Sequence, residues 1–596
     1  MNQTLPLRTD VPIHETWDLS LLFDSQQTYE EAVQNLKKDA VAFADKYQGK
    51  LTDVNVLLDA LAAYEQLSIL SDRVYSYATL GYEADKLNEL NELNEANSYP
   101  LSDFVNAKLA FFQPELSELP EEVIEPALSS EYKYYLADIL RNKQHLLSKE
   151  VEEAISSLQS SLGNQYPLYL TTKFQDLRFD DFTANGKNYA NSFVEFEGDY
   201  ECHLDGEIRH ASWKSFHRGL ASYQHTLAAN YINHVQTEKK LATLRGFDSV
   251  IEYLLHHQKV SREAYNRQID VIVEKFAPVM RRYAKLLAKE QGLTTISLAD
   301  IKMPFSTVEA KKISIAESRE MVERAFASLG EEYLEVIRRS FDERWIDFPM
   351  NQTKSTGGFC LTVYGAPSYT LLNWTGMLSE VLVLAHELGH AGHFQLSHAN
   401  QLKITPEASL YFVEAPSTAN EVIMCQYLLN QPIDAEQKRS LISELISRTY
   451  FHNMVTHLLE AHFQRKVYEA VDREELLNAK RLNQFFQETL ELFWGDAVEI
   501  NEGAELTWMR QPHYFMGLYP YTYSAGLTIG TQIGQRIAQG DADAIAKWLH
   551  VLKAGGTMGP LELAAYADVS MENGDALNAA IQYVDSLLDQ LEALAQ

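Results

Sequence analysis

Apolar side chains recur at intervals of three and four along residues 27–48, 53–84, 86–112 and 134–162, with charged positions between them. That spacing predicts amphipathic helices, each with one face toward a core. Pro114, Pro120 and Pro126 punctuate the region. The echo Leu-Asn-Glu-Leu-Asn-Glu-Leu-Asn-Glu at 87–95 fits a solvated helix face, not a structural repeat. Residues 173–200 carry Phe174, Leu177 and Phe179 and then the turn pair Asn185-Gly186, which predicts a short strand–loop section. A lobe boundary is placed there, giving an N-terminal helical lobe over 1–200 and a second region over 201–596.

Helical periodicity resumes over 211–245, 247–258, 261–292 and 309–341. Trp345-Ile-Asp-Phe-Pro and Gly357-Gly-Phe-Cys-Leu-Thr-Val-Tyr364 then predict two short strands joined by a glycine-containing loop. Such strands either close a lobe or offer an edge to which an extended peptide can add. Helices follow over 406–430, 434–470, 473–496 and most of 526–596. The expected fold is mainly α, with a small β element.

Between those strands and the last helices lies Val381-Leu-Val-Leu-Ala-His-Glu-Leu-Gly-His-Ala-Gly-His393. His386 and His390 are four apart, so on a helix they share a face and can each give a nitrogen to one zinc ion. Glu387, one step round, is placed to act as general base on a water whose pKa the metal lowers. With 18 His and 83 acidic residues in 596, chance alone gives about 0.1 such patterns in a chain of this length. A third ligand therefore decides the matter. The extension that supplies a third histidine needs Gly at 393 and His at 396; here stand His393 and Leu396. His393 and His398 are read instead as polar residues near the helix end, where cationic groups suit the dipole. Glu407, Glu414 and Glu421 remain. Glu414 follows Tyr411-Phe412-Val413, and a carboxylate so flanked is costly to bury unless paired or metal-bound. Glu421, seven positions on, shares its helix face and suits an outer carboxylate orienting a ligand imidazole; a solvated charge is the alternative.

The formal charge of −32 argues against a nucleic-acid partner and favours cationic ligands. Three scattered cysteines, Cys202, Cys360 and Cys425, fit a reducing compartment without a disulfide framework or thiolate site. The start shows no basic-then-apolar secretory order, and no run approaches a membrane span. A cytoplasmic location with no membrane partner is expected.

Phe412-Val-Glu-Ala-Pro-Ser417 following His386-Glu-Leu-Gly-His390 resembles the signature of the thimet oligopeptidase and oligoendopeptidase F family of zinc peptidases. Thr16-Trp-Asp-Leu-Ser20, Gly357-Gly-Phe-Cys360 and Leu552-Lys-Ala-Gly-Gly-Thr-Met-Gly-Pro-Leu-Glu-Leu563 resemble the oligoendopeptidase F branch, so the likeness spans almost the whole chain. Tyr566-Ala-Asp departs from that branch, far from the metal motif. The resemblance implies one zinc per chain on His386, His390 and Glu414, and two helical lobes around a deep substrate channel. It also implies that His513 and one or two tyrosines stabilise the tetrahedral intermediate, the logic of neutral donors aimed at a developing oxyanion. Among Tyr519, Tyr521 and Tyr523 the order of preference is Tyr523, then Tyr519. The expected activity is endopeptidase cleavage of short oligopeptides. A dipeptidyl carboxypeptidase, a metal-dependent hydrolase of other substrates, or an inactive helical peptide-binding protein are the alternatives.

Overall fold

The computed structural model describes residues 5–305, 312–355 and 357–594. Helices dominate, as the apolar spacing requires, and two small sheets interrupt them. Gln26–Tyr47, Val54–Ala84 and Glu89–Leu109 pack on one another. Asp53 and Asn88 cap the second and third, each accepting two backbone N–H groups. Leu36, Ala40, Leu57, Leu61 and Leu101 lie in the core these helices share, which continues to Ile139 and also takes in Ile404. A second and larger core runs from Tyr169 to Leu591.

The expected helix over 134–162 is instead three pieces, Lys133–Asn142, Lys149–Ser157 and Gln159–Leu162. The break has a local cause. Glu152 accepts the Leu147 N–H at 3.0 Å and also pairs with Arg245 at 2.8 Å, which fixes an extended approach to the second piece. Residues 173–200 contain the expected turn: β1 (Phe182–Ala184) and β2 (Lys187–Tyr189) form a hairpin, with Asn185 at φ +50 and Gly186 at φ +71. Positive φ at both central residues is what a two-residue hairpin turn demands. On either side, however, the chain is helical, at Thr172–Asp176 and Phe193–Gly198.

A 39-residue helix, Gly206–Leu244, then spans the larger core. The expected helix over 309–341 begins outside the described residues at 309–311. It divides into Ile315–Phe326 and Glu331–Asp342 at Gly330, whose φ of +89 no helix accommodates.

The second sheet has three strands, not two. β3 (Ile346–Pro349) and β4 (Phe359–Thr362) do not pair with each other. β5 (Ser368–Trp374) lies between them, parallel to β3 and antiparallel to β4. β4 is thus an edge, and β4 and β5 pack on the helix Leu378–Asn400. Trp17 meets Tyr369 of β5 edge to face at 5.9 Å, and Arg8 and Lys354 flank the fully buried Asp347 of β3 at 2.8 and 2.7 Å. The chain's first segment is thereby tied to the sheet. Among the described residues, no helix is long and apolar enough to cross a membrane.

Candidate metal centre

Val381, Leu384, Ala385 and Leu388 form the buried stripe of the helix Leu378–Asn400. With that stripe fixed, His386 and His390 emerge together on another face, ring centroids 5.0 Å apart. Gly389, between them, is where the next helix crosses: a Cβ there would lie 2.5 Å from Ser417 Cα and 2.6 Å from the Pro416 carbonyl oxygen. That helix, Glu414–Leu429, begins at Glu414, where a carboxylate suits the positive end of the dipole. Pro416 sits in its first turn, where no intrahelical N–H is needed.

Its other side is set by Pro520–Ala538. Gly526, Gly530 and Gly534 recur every fourth residue, facing Glu414, Thr418 and Val422, themselves four apart. A Cβ at Gly534 would lie 2.9 Å from the Val422 side chain, so the two backbones approach closely along their length.

The result is a convergence of three donors. His386 Nε2 and His390 Nε2 each lie 3.4 Å from Glu414 Oε2, and the three ligand atoms fall within 4.8 Å of one another. Zinc bonds near 2.0–2.1 Å in a tetrahedron put neighbouring donors about 3.3 Å apart, so the spacing fits. The imidazoles are 21% and 12% exposed and Glu414 4%, so solvent reaches the histidines. Glu414 Oε1 accepts from the Tyr519 hydroxyl at 2.9 Å, and Oε2 from Ser417 Oγ at 2.9 Å. Glu421 Oε1 lies 2.8 Å from His386 Nδ1, and its other oxygen accepts from Thr449 Oγ1. Glu407 is not part of this cluster.

The electrostatics suit a cation. Burial pushes the Glu414 carboxyl up, but His390 and His386 outweigh it and hold it well below the usual range. Burial likewise lowers His386, yet Glu414 and Glu421 outweigh it and raise that imidazole well above normal. For Glu387 burial wins and raises the carboxyl. Glu387 Oε2 and His390 Nδ1 are buried without a hydrogen-bond partner among the described residues. Three carboxylates beside two imidazoles, with a donor and an acceptor left over, form a set that accepts a divalent ion.

His393 and His398 depart from expectation. His393 is buried and His398 half-buried, and burial pushes them down to about 3 and about 4, so neither is a cation acting on the helix dipole.

His513 and the tyrosines lie across from the metal cluster. Tyr523 OH is 3.5 Å from His513 Nε2, and the Tyr519 ring stacks on His513 at 5.6 Å. Tyr521 turns away and donates to Gln258 Oε1 at 2.5 Å inside the core. Burial keeps all three phenols protonated, Glu414 adding to the effect at Tyr519 and Tyr523. Behind His513 stand Glu460 and His457, which sequence reading did not single out although their three-residue spacing puts them on one helix face. Ser417, one turn after Glu414, and Thr449 were also missed.

Comparison with known proteins follows the same lines. The family model described as Oligopeptidase F matches residues 115–179, and that of Peptidase family M3 matches residues 201–583. An oligoendopeptidase F homolog of Lactococcus lactis subsp. lactis is 25% identical over 600 residues, covering 99% of this chain and 98% of that protein. Group B oligopeptidase PepB of Streptococcus agalactiae serotype III is 26% identical over 586 residues, covering 97% and 96%. Among solved structures, oligoendopeptidase-F from Enterococcus faecium superposes with a TM-score of 0.75 at 20% identity, covering 96% of this chain and 99% of that one. The fold is therefore the mainly α fold of that structure. Since the M3 model spans well over half its length, the chain belongs to peptidase family M3.

Proposed function

We propose that this chain is a zinc endopeptidase that hydrolyses internal bonds of short oligopeptides. The observation that carries the proposal is the convergence of His386, His390 and Glu414 within 4.8 Å beside the unpartnered Glu387. In this reading the three residues hold one zinc ion per chain, and Glu421 fixes the His386 ring from outside. Bound zinc would supply Lewis acidity, polarising the scissile carbonyl and making water a stronger acid.

Glu387 takes a proton from the attacking water and delivers it to the leaving amine. Its carboxylate is buried with one oxygen left without a hydrogen-bond partner among the described residues, so that oxygen is free to take up a proton. Tyr523 and His513 serve as donors to the developing oxyanion. Tyr519, whose hydroxyl is committed to Glu414, ranks after Tyr523. The edge of β4 supports the peptide itself. Gly358 stands at its start, where an added Cβ would lie 3.4 Å from Glu387 Oε1, so an extended substrate pairing there passes the base.

A site between helical lobes, reached along a deep channel, would admit short flexible peptides and exclude folded proteins. The names of the relatives, oligoendopeptidase and oligopeptidase, agree with that substrate class. Three free cysteines fit a reducing, cytoplasmic setting.

The test is a pair of internally quenched peptides, one with both ends blocked and one with a free C-terminus. Cleavage of the blocked peptide, abolished by a chelator, is expected. Cleavage of the free-ended peptide alone would make the enzyme a carboxypeptidase, and cleavage of neither would leave a binding protein.

A further inference from the structure

Behind the oxyanion residues lies a second cluster with the same donor chemistry as the first. His457 and Glu460 occupy one face of the helix His457–Asp472, and His513 approaches from the turn Pro512–Phe515. His457 Nδ1 lies 2.9 Å and His513 Nδ1 3.4 Å from Glu460 Oε2, and the three atoms fall within 4.8 Å of one another. His457 and Glu460 are almost wholly buried, and Glu460 Oε1 has no hydrogen-bond partner among the described residues.

We propose that His457, Glu460 and His513 form a second metal-binding site, which takes a divalent cation of zinc's class through Nδ1 of each imidazole and the Glu460 carboxylate. Two imidazoles and one carboxylate favour zinc and its neighbours over calcium or magnesium, which prefer all-oxygen shells. The 3.4 Å edge matches the roughly 3.3 Å that tetrahedral zinc imposes, and the 2.9 Å edge reaches it if His457 withdraws by a few tenths of an ångström.

An outer partner is also in place. His457 Nε2 lies 3.0 Å from His452 Nε2, so metallation at Nδ1 leaves Nε2–H to donate to His452, as ligand histidines commonly do. Electrostatics agree: burial lowers both His457 and His452, which weakens the proton's competition with a metal for those rings. Burial opposes ionisation of Glu460, but His457 and His513 hold its carboxyl down at about 2. Hydrogen bonding alone satisfies Oε2 and leaves a buried carboxylate oxygen orphaned; a chelated cation uses both.

A cation on Nδ1 would also keep the His513 proton on Nε2, the nitrogen facing Tyr523. That consequence rests on the proposed catalytic role of His513, whereas the metal site does not.

The experiment is metal stoichiometry on the full chain. Metal-free wild type, His457→Gln and His390→Gln are dialysed against zinc-buffered solution and analysed for zinc, and each is titrated with Co2+ while the visible spectrum is recorded. Wild type should take up two equivalents and each variant one, with two spectral steps collapsing to one. A single equivalent in wild type, or two in His457→Gln, overturns the proposal. If His457→Gln lacks the helical signal and cooperative melting of wild type, His452→Ala decides. There the second cobalt step should weaken about tenfold to a hundredfold, and an unchanged second step overturns the proposal.

Discussion

Gly526 is the floor under Glu414: a Cβ at position 526 would come within 2.6 Å of the Glu414 Cβ. The candidate ligand is thus positioned by backbone against backbone, with no flexible side chain between to absorb a change. Gly526→Ala should push the two helices apart and carry Glu414 off the histidines. Overpacking of this kind costs about 1–3 kcal/mol, so both the melting temperature and zinc retention should fall. An alanine variant that melts and holds zinc like wild type would contradict this packing.

Much of this centre was legible in the sequence because its parts are local. His386 and His390 share a helix face by spacing, Glu414 betrays itself as a carboxylate among apolar residues, and Glu421 follows two turns later. Other parts left no such trace. β5 is buried on both faces through Ser368–Leu372, so it lacks alternation and passes for a loop of mixed polarity. Thr449 reaches Glu421 from the π-type turns of residues 445–456, whose wider register defeats a 3.6-residue pattern. His457 and Glu460 show helical spacing, yet their partner His513 stands in a distant segment that only folding brings near.

Glu421 is expected to act through His386. Glu421→Gln removes the charge that orients and polarises the imidazole, and outer-partner losses of this sort lower metal affinity about tenfold to a hundredfold. Competition with a zinc chelator measures it. Unchanged affinity would mean that the 2.8 Å contact contributes nothing to metal binding.

The three tyrosines should separate by kinetics. Tyr523→Phe should lower kcat by about a hundredfold or more with little change in KM, as loss of an oxyanion donor does. Tyr521→Phe should leave kcat nearly intact and lower stability by about 1 kcal/mol, since its hydroxyl bonds Gln258 in the core. The opposite ranking would show that the register of the segment at the site is different.

Acid sensitivity has an identifiable contributor away from the centre. His217 is buried against Trp213, and burial pushes its pKa from 6.5 down to about 3. Below 6.5 the unfolded chain binds a proton there that the folded chain refuses, so stability falls as pH drops from 6.5 toward 3. One such group gives a slope of about 1.4 kcal/mol per pH unit. His217→Phe keeps the ring stacking and should flatten the dependence of the unfolding midpoint on pH across that window. An identical slope in the variant would place the sensitivity elsewhere.

The most direct measurement compares wild type with Glu387→Gln on an end-blocked, internally quenched peptide, with the zinc content of both determined. Glu387 is not one of the three clustered donors and is the proposed general base, so the variant should retain zinc while its cleavage rate falls by about 10²–10⁴, the usual worth of such a base. A zinc-loaded variant that cuts as fast as wild type would contradict the role of Glu387 and with it the proposed mechanism.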